Sequence, residues 1–357
     1  MNVIQEGETS IIVETQKIVN KKMPVFYNPV MIVNRDFSLL VLQALNRKEL
    51  IIGDILAGSG IRTLRILKEL NKDIVKKIIV NDIKPNFKEI IQKNIELNKL
   101  ENISEKIIIK NEDANTALMN DEHFDYIEID PYGTPNPFID TSIKRLKRKG
   151  ILSVTATDTS CLCGSYPKAC YRKYWSKPLR NELMHEFATR ILTRKIQLIG
   201  AQHEKALTPL ISIATDHYVK IFFISENNKT KTDEILKKHE TYKEKGPIWL
   251  GPLHDAEFIE KMIQETQKIN ISKKTTKLLE TLKEEAKVET PFFYDLHVLA
   301  RKMKTKIIPR IDAMMEEIKK QKYKATRTHF NPNAIKTNAP QKEIETIFKK
   351  LTITSLN

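Results

Sequence analysis

The order of apolar and polar residues along the chain predicts strands that alternate with helices. An amphipathic pattern over residues 34–45 indicates a first helix, and short apolar runs at 49–56, 77–81, 106–110 and 124–127 indicate strands. Strands and helices alternate four times in this part of the chain, and 149–158 reads as a fifth strand. This order predicts an α/β fold with a doubly wound, mainly parallel sheet.

The rest of the chain predicts smaller elements around that sheet. Residues 9–14 indicate a short strand, 209–225 indicate paired strands that complete the sheet, and a basic helix is predicted just before Lys149. Helical patterns recur at 256–269, 275–286 and 295–303, and 323–330 suits a strand. We therefore predict a sheet domain at 1–226, a polar linker at 227–245, and a smaller α+β domain at 246–357.

Composition favours a globular protein of the cytoplasm. The 357 residues are 41% hydrophobic and 29% charged, and no stretch approaches the ~18 apolar residues of a membrane span. The first residues lack the basic region and apolar run of a secretory signal. The cysteines, Cys161, Cys163 and Cys170, are odd in number and have no histidine nearby in sequence. We expect neither a disulfide framework nor a metal site there.

Charge points to a polyanionic partner. The formal net charge is +15, with Lys and Arg bunched at 144–149 and 319–324. Such an excess favours RNA, DNA or an acidic membrane surface without separating them. Aromatic residues interleave with cations at Tyr166, Tyr171, Tyr174 and Trp175. That segment suits either a nucleic-acid contact or an aromatic cluster packed on the sheet.

A glycine-rich turn follows the strand at 49–56. Asp54 precedes Gly58 and Gly60, and Thr63 stands where a dinucleotide fingerprint would have a third glycine. This order suits S-adenosylmethionine, which carries no phosphate to cradle. Asp82 lies some 22 positions after Gly60, close to the spacing of a carboxylate that binds ribose hydroxyls. Asp113, after the third strand, stands where such folds contact the adenine amino group.

The fourth strand leads into Asp130-Pro131-Tyr132-Gly133. A carboxylate and a ring at the edge of an α/β sheet suit methylation of an exocyclic amino group. The lone pair of such a nitrogen is delocalised into its ring, and hydrogen bonds accepted from its N–H groups restore nucleophilicity, while an aromatic ring stacks on the base. An isolated Asp-Pro-aromatic sequence is also typical of an ordinary turn, but here it follows acidic strand ends and a glycine-rich turn.

The chain resembles, almost end to end, the archaeal and eukaryotic tRNA (guanine26-N2)-dimethyltransferases. The resemblance implies a class I methyltransferase fold, S-adenosylmethionine as methyl donor, and a C-terminal domain that binds tRNA. The motifs that carry it are Val25-Phe26-Tyr27-Asn28-Pro29, Asn34-Arg35-Asp36, Gly58-Ser59-Gly60-Ile61-Arg62, Asp130-Pro131-Tyr132-Gly133, Thr155-Ala156-Thr157-Asp158, Cys163-Gly164, Tyr218-Val219-Lys220, Gly246-Pro247-Ile248-Trp249-Leu250-Gly251 and Arg327-Thr328-His329-Phe330.

The resemblance also implies roles for single residues. Asp130 would be the catalytic carboxylate, with Phe26 and Tyr132 holding the guanine. The residues that would line the S-adenosylmethionine site are Arg35, Arg62, Asp82, Asp113 and Ala114. The family often has Phe at the position of Tyr132, and either ring can stack. The family also commonly has a four-cysteine zinc site before the Gly-Pro-aliphatic-Trp motif. Residues 239–245 contain no cysteine, so we predict no zinc.

The implied reaction takes guanine out of its stack into a pocket beside the methyl donor. One or two methyl groups would then be transferred to its N2 atom. Two alternatives remain at this stage: an amino-methyltransferase acting on ribosomal RNA guanine or DNA adenine, and a non-catalytic RNA-binding protein that keeps the cofactor fold. The sequence is compatible with a monomer.

Overall fold

The chain was analysed in a computed structural model that describes residues 2–13, 27–120 and 122–354. Phe26, predicted to hold the base, lies outside these ranges. None of the described helices combines the length and the apolar character needed to cross a bilayer.

The elements are named in chain order. The strands are β1 (Asn2–Glu6), β2 (Thr9–Val13), β3 (Leu50–Asp54), β4 (Val75–Asn81), β5 (Ile107–Lys110), β6 (Phe124–Ile129), β7 (Leu146–Ala156), β8 (Lys205–Thr215), β9 (Tyr218–Asn227), β10 (His239–Tyr242), β11 (Lys245–Trp249), β12 (Tyr294–Asp295), β13 (Ala325–Thr328) and β14 (Asn331–Thr337). The helices are α1 (Ile32–Ala44), α2 (Ile61–Glu69), α3 (Phe87–Leu97), α4 (Ala114–Met119), α5 (Asn136–Arg145), α6 (Thr159–Leu162), α7 (Pro167–Tyr174), α8 (Met184–Gln202), α9 (Lys229–Leu236), α10 (Ala256–Glu265), α11 (Lys273–Ala286), α12 (Leu296–Lys302), α13 (Ile311–Lys320) and α14 (Gln341–Thr354).

A seven-stranded sheet in the order β5-β4-β3-β6-β7-β9-β8 forms the centre of the molecule. Strands β3 to β7 pair in parallel, and β9 pairs antiparallel with both β7 and β8. The predicted α/β fold with a mainly parallel sheet is confirmed. The carboxyl ends of β5, β4, β3, β6 and β7 therefore meet along one edge, where such sheets bind ligands.

Helices cover both faces of this sheet, because successive side chains of a strand point to opposite faces. Ile52 and Ile78 pack into the core that includes α1, α2 and α3. Their neighbours Ile51 and Ile79 pack into the core that includes α5 and α8. Burial on both faces explains why the strands read as continuous apolar runs rather than as alternating patterns.

The C-terminal third of the chain does not pack as one separate unit. Helices α10 and α11 share the core of α1 through residues such as Phe258 and Leu279. A second core holds α12, α13 and α14 against the small sheet β12-β14-β13, with Met314 and Phe348 at its centre. Residues 227–245, predicted to be a linker, contain α9 and β10. The division into domains at 226 and 246 remains a prediction.

The basic run at 144–149 does not form the predicted helix throughout. Helix α5 ends at Arg145, and Leu146 begins β7, pairing with Phe124 of β6. Lys147 makes an ion pair with Asp125 on the same neighbouring strand, at 2.8 Å. Strand pairing and this cross-strand contact therefore explain why residues 146–148 form a strand, although the sequence predicted a helix.

Two histidines cap the free edge of β8. The backbone N–H of Ser212 donates to Nδ1 of His254 at 3.4 Å, and that of Ala214 donates to Nε2 of His329 at 3.2 Å. Nδ1 of His329 in turn donates to Glu285 at 2.7 Å, which makes this imidazole the neutral Nδ1–H tautomer. The C-terminal part therefore protects a strand edge that would otherwise be open to pairing with other chains.

We predict that His254 makes the protein sensitive to mild acid. Burial lowers the pKa of His254 to about 3, far below its ordinary value of 6.5. As the pH falls below 6.5, His254 binds a proton in the unfolded chain. In the folded chain it stays neutral until about pH 3. The free energy of unfolding should therefore fall by ~1.4 kcal/mol per pH unit from this residue alone. Urea unfolding at a series of pH values measures this slope.

The matched control is His254→Asn, which keeps an oxygen able to accept from Ser212 but cannot titrate. Its stability at neutral pH should be close to that of the wild type. Its loss of stability with acid should be shallower by about the same ~1.4 kcal/mol per pH unit. Equal slopes in the two proteins would show that His254 does not bind a proton differently on unfolding.

Candidate active site

The glycine-rich turn between β3 and α2 forms one wall of the site. Gly58 and Gly60 have φ values of 61° and 76°, which favour glycine. A Cβ on Gly60 would lie 2.1 Å from Cδ1 of Ile91, so a side chain there would have to displace Ile91 in addition to adopting a strained φ. The N–H of Gly58 donates to Oδ2 of Asp82 at 2.8 Å. The turn is therefore held against the end of the neighbouring strand β4.

Arg62, in the first turn of α2, is buried among three carboxylates. Its guanidinium donates to Oδ1 of Asn34 at 2.8 Å and to Oδ2 of Asp130. Nη1 lies 3.6 Å from Oδ1 of Asp54, and Nε lies 3.7 Å from Oε2 of Glu128. Burial opposes the charge of Arg62, but these carboxylates raise its pKa above the ordinary value. One cation thus ties together α1, α2 and the ends of β3 and β6.

Glu128 lies beneath the site, two residues before Asp130, in an almost fully buried position. Lys220 donates to its Oε1 at 2.6 Å, and the hydroxyls of Ser38 and Ser153 donate to its two oxygens at 2.9 Å each. Burial favours protonation, but the charges of Arg62 and Lys220 outweigh it and lower the pKa of Glu128 to about 2. Beneath the site, therefore, Glu128 is ionised and both of its oxygens accept hydrogen bonds.

The loop after β6 presents a carboxylate and a ring to the site. Its backbone is fixed to the end of β7, since the N–H of Gly133 donates to Oγ1 of Thr157 at 2.6 Å and the N–H of Thr157 donates to the Gly133 carbonyl at 2.9 Å. Arg62 binds Oδ2 of Asp130, and among the described residues none donates to Oδ1. The ring of Tyr132 is 66% exposed. Oδ1 of Asp130 can therefore accept a hydrogen bond from a ligand, and Tyr132 is accessible from solvent.

Arg35, on α1, belongs to a second buried ion cluster at the side of the site. It donates to both carboxylate oxygens of Glu6 from β1 and to the carbonyl of Asn28. Its guanidinium lies 5.0 Å from the centroid of the Tyr27 ring. Glu6 also pairs with Arg65 at 3.0 Å, and although burial opposes its charge, Arg35 and Arg65 lower its pKa. The N-terminal hairpin is thereby attached to the wall of the site.

These elements enclose a cavity of about 420 Å³ at the carboxyl edge of the sheet. Its wall combines apolar side chains with the Arg62–Asp130 pair and the glycine-rich turn. The lining residues are Tyr27, Asn28, Val30, Met31, Arg35, Leu56, Ala57, Gly58, Ser59, Ile61, Arg62, Asp130, Pro131, Tyr132, Gly133, Thr157, Asp158, His217 and Tyr218. Of the residues predicted from sequence, the cavity therefore brings together Arg35, Gly58, Arg62, Asp130 and Tyr132.

The other predicted residues lie outside this lining, further along the same sheet edge. Asp54 is buried behind the turn and accepts from Oγ1 of Thr63 at 2.8 Å. Asp82 follows β4, and its Oδ1 accepts from the N–H of Lys84 at 3.1 Å. Asp113 follows β5 and caps α4, whose first residue, Ala114, is buried. Gly60 stands at the start of α2 behind the turn.

Several lining residues were not proposed from sequence. Oδ1 of Asp158 accepts from the hydroxyl of the buried Tyr174 at 2.6 Å. The hydroxyls of Ser59 and Tyr218 are buried, and no described residue binds either of them. Tyr218 follows the tight turn between β8 and β9, and a tyrosine at the head of an apolar strand was the available signal. Both residues line the cavity, so its wall contains two buried hydroxyls that lack a partner among the described residues.

The fold brings one histidine close to the segment that contains Cys161, Cys163 and Cys170. Sγ of Cys163 lies 3.7 Å from Nδ1 of His185, which is distant in sequence. All three thiols are free and buried. Burial raises the pKa of Cys163 to about 11, whereas a metal ligand must be a thiolate.

Comparison with known proteins gives one consistent result. The family model described as N2,N2-dimethylguanosine tRNA methyltransferase matches residues 7–244 and 237–349. A Methanobrevibacter smithii protein named tRNA (guanine(26)-N(2))-dimethyltransferase is 38% identical and covers 98% of this chain and 97% of its own length. An Aquifex aeolicus protein named tRNA (guanine(26)-N(2)/guanine(27)-N(2))-dimethyltransferase is 37% identical, with 96% and 95% covered. The solved complex of Trm1 from Pyrococcus horikoshii with S-adenosyl-L-methionine is 34% identical, has a TM-score of 0.88, and covers 97% of this chain and 99% of that chain.

We predict that Arg62→Met greatly destabilises the folded protein. The substitution leaves Asp54, Glu128 and Asp130 without their shared cation in a buried setting. The free energy of unfolding should fall by ~3–5 kcal/mol, the usual cost of breaking a buried ion pair by removing one partner. Urea unfolding at neutral pH measures the change.

Two further variants sharpen this test. Lys48→Met removes an exposed ion pair with Asp73 and should leave stability nearly unchanged. The double variant Arg62→Met/Asp54→Asn should recover part of the loss, because Asp54 has no other cation among the described residues and its uncompensated charge is then gone. A single Arg62→Met variant as stable as the wild type would contradict the role given to the guanidinium.

Proposed function

This chain belongs to the N2,N2-dimethylguanosine tRNA methyltransferase family, and we propose that it transfers methyl groups from S-adenosylmethionine to N2 of the guanine at position 26 of tRNA. The name of the Methanobrevibacter smithii relative supplies the substrate and the position. The chain covers nearly the full length of that relative, so the proposal concerns the whole enzyme rather than one domain of it.

The observation that carries the proposal is the state of Asp130 in the cavity. Arg62 binds one carboxylate oxygen, and the other oxygen has no described donor. The side chain remains 13% exposed, so a ligand can reach it. A carboxylate held in this way is a hydrogen-bond acceptor for an amino group, which is what methylation of guanine N2 requires.

In the proposed mechanism Asp130 orients the nucleophile. Its Oδ1 accepts a hydrogen bond from the guanine amino group, which draws the N2 lone pair out of conjugation with the ring. N2 would take the electrophilic methyl group that bound S-adenosylmethionine supplies, leaving S-adenosylhomocysteine as the product, and the proton that N2 loses would pass to Asp130 or to solvent. Tyr132 stacks on the base, and Phe26 is proposed to stack on its other face. The Arg62 contact keeps Asp130 in place throughout, so positioning contributes much of the rate.

The residues present fit S-adenosylmethionine. The glycine-rich turn allows close backbone approach, the wall near it contains Leu56 and Ile61, and the Ser59 hydroxyl has no described partner. We propose that Arg35, Gly58 and Arg62 surround the methionine end of the cofactor. The adenosine end would then lie along the sheet edge beyond the cavity.

The ends of β3, β4 and β5 follow one another along that edge. We propose that Asp82 binds the ribose and that Asp113 and Ala114 contact the adenine. Gly60 keeps the turn open, and Asp54 supports it from behind through Thr63. The order of the strands in the sheet supports this direction for the cofactor.

We propose that residues 246–357 contribute to tRNA binding, with 1–226 as the methyltransferase part. The stretch 301–310 contains five Lys and Arg residues and no acidic residue, and most of it is exposed. Such a segment favours phosphate contacts. We also propose a cytoplasmic location, which the three free thiols support.

Nucleoside mass spectrometry tests the function. Unmodified tRNA transcript incubated with the protein and S-adenosylmethionine should yield N2-methylguanosine and N2,N2-dimethylguanosine, and a transcript with adenine in place of guanine 26 should yield neither. Asp130→Asn should lower kcat by about 100-fold or more, because the amide is a weaker acceptor and cannot stabilise developing positive charge.

The matched control is Asp233→Asn, an exposed aspartate on α9, which should retain full activity. Binding of S-adenosylmethionine to Asp130→Asn, followed by calorimetry, separates lost chemistry from lost folding. Methylation by Asp130→Asn at the wild-type rate would remove Asp130 from the mechanism. Methylation of the transcript that lacks guanine 26 would move the target to another position.

A further inference from the structure

Helix α7 presents a band of cations and rings to solvent. Lys168, Tyr171 and Arg172 follow the spacing i, i+3 and i+4, which places them on one side of the helix, and Trp175 follows its last residue as the C-cap. All four are exposed. The opposite side of the helix faces the core and carries Cys170 and Tyr174, which are fully buried. We call these four exposed residues, with Tyr166 just before the helix, the α7 face.

The rings of the α7 face are unusually accessible for aromatic side chains. Tyr166 is 63% exposed, Tyr171 is 60% exposed and Trp175 is 44% exposed. Trp175 also has a φ of 55°, a left-handed conformation that costs free energy in a bulky residue. Its backbone is held by Tyr171 and Arg194, and the Lys195 ammonium lies over its ring. The fold therefore holds these rings at the surface instead of burying them.

The charge around these rings has one sign. Residues 159–180 contain five Lys and Arg residues and no Asp or Glu. Of these cations, Lys173 is 3.4 Å from Asp158, and both Lys168 and Arg172 point away from the core with the other members of the α7 face. A surface that combines cations with open rings suits a single-stranded or unstacked nucleic acid, in which phosphates and base faces are both available.

Helix α7, which carries this face on its outer side, adjoins the cavity that would hold the target base. Tyr174, on the buried side of the same helix, donates to Asp158, which lines the cavity, at 2.6 Å. The hydroxyl of Tyr174 also lies 2.9 Å from Oγ1 of Thr134 in the loop that follows Tyr132. Nδ2 of Asn136 donates to the carbonyl of Lys173 at 2.8 Å. The helix is thus attached directly to the Asp130 loop.

We propose that the α7 face binds the RNA nucleotides that flank the target guanine, with Lys168 and Arg172 on phosphates and Tyr166, Tyr171 and Trp175 against unstacked bases. The inference rests on the proposed function, because a flipped base leaves its neighbours partly unstacked beside the cavity. The rings and cations then hold the strand on either side while Asp130 and Tyr132 hold the base itself. The C-terminal part is not needed for this contact.

The test measures binding of a fluorescent, unmodified tRNA transcript to the full chain by anisotropy. Lys168→Ala/Arg172→Ala should weaken binding and flatten the dependence of log K on log salt by ~1–2, one step for each lost phosphate contact. Tyr171→Ala should weaken binding by about five- to a hundredfold with little change of salt dependence. In steady-state methylation both variants should raise KM for tRNA and leave kcat unchanged.

The control is Lys72→Ala/Lys76→Ala, which removes two exposed lysines at the amino ends of the strands, on the opposite edge of the sheet. It should bind tRNA as the wild type does. All variants should bind S-adenosylmethionine with unchanged Kd, which shows that they are folded.

Three outcomes would overturn the inference. One is wild-type tRNA affinity in both α7-face variants while the wild type methylates tRNA, which leaves the proposed function intact. Another is equal weakening in the Lys72→Ala/Lys76→Ala control, which means that only net charge matters. The third is a wild-type protein that binds S-adenosylmethionine but neither binds nor methylates tRNA, in which case the proposed function fails as well.

Discussion

The ion pair between Arg62 and Asp130 is the contact on which the rest of the site depends. Three carboxylates, Asp54, Glu128 and Asp130, converge where β3 and β6 end, and without a cation they would repel one another in a poorly solvated space. Arg62 compensates them from above and Lys220 compensates Glu128 from below. The same contact holds the Asp130 carboxylate at the cavity, so stability and chemistry depend on one guanidinium.

A second guanidinium extends this arrangement to the N-terminus. Arg65 lies one helical turn after Arg62 and contacts Glu6, Asp36 and Glu69. Helix α2 therefore directs two buried cations toward α1, and each collects acidic groups from different parts of the chain. Because Glu6 also binds Arg35, the N-terminal hairpin is part of the wall of the site. Buried charges here specify which segments meet, in addition to any stability that they contribute.

The sequence was sufficient for the sheet and for the family. Apolar runs of strand length located β3 to β7 because helices pack on both faces of these strands, with only β5, at the edge of the sheet, partly buried. The resemblance to tRNA (guanine26-N2)-dimethyltransferases was confirmed. Asp130 and Arg62 were proposed together, but their direct contact was not, because a pairing over 68 residues leaves no local pattern. The Glu128–Lys220 pair was missed for the same reason. The only sign of this pair in the sequence was a charged residue, Lys220, inside the apolar strand β9.

Other differences have local physical causes. Sequence analysis left both interpretations open for Tyr166, Tyr171, Tyr174 and Trp175 together. Tyr174 is buried because it lies four residues after Cys170, on the inner side of α7. Tyr166, Tyr171 and Trp175 are exposed. The interpretation as a packed aromatic cluster therefore suits Tyr174, and the interpretation as a surface suits the other three rings. The stretch 227–245 is polar enough to resemble a linker, but β10 pairs with β11, and α9 contacts the sheet through Ile235. Backbone pairing of this kind is invisible to composition.

The capping of β8 has a consequence for the order of events during synthesis. Ser212 and Ala214 belong to the sheet, but the imidazoles that satisfy their N–H groups come from His254 and His329. When the last strand of the seven-stranded sheet leaves the ribosome, His329 has therefore not yet been released. The nascent sheet is left with an open edge until nearly the whole chain has emerged, and such edges are prone to aggregate. Chaperones should therefore bind the growing chain until His329 has emerged, and not only until the seven strands have been made.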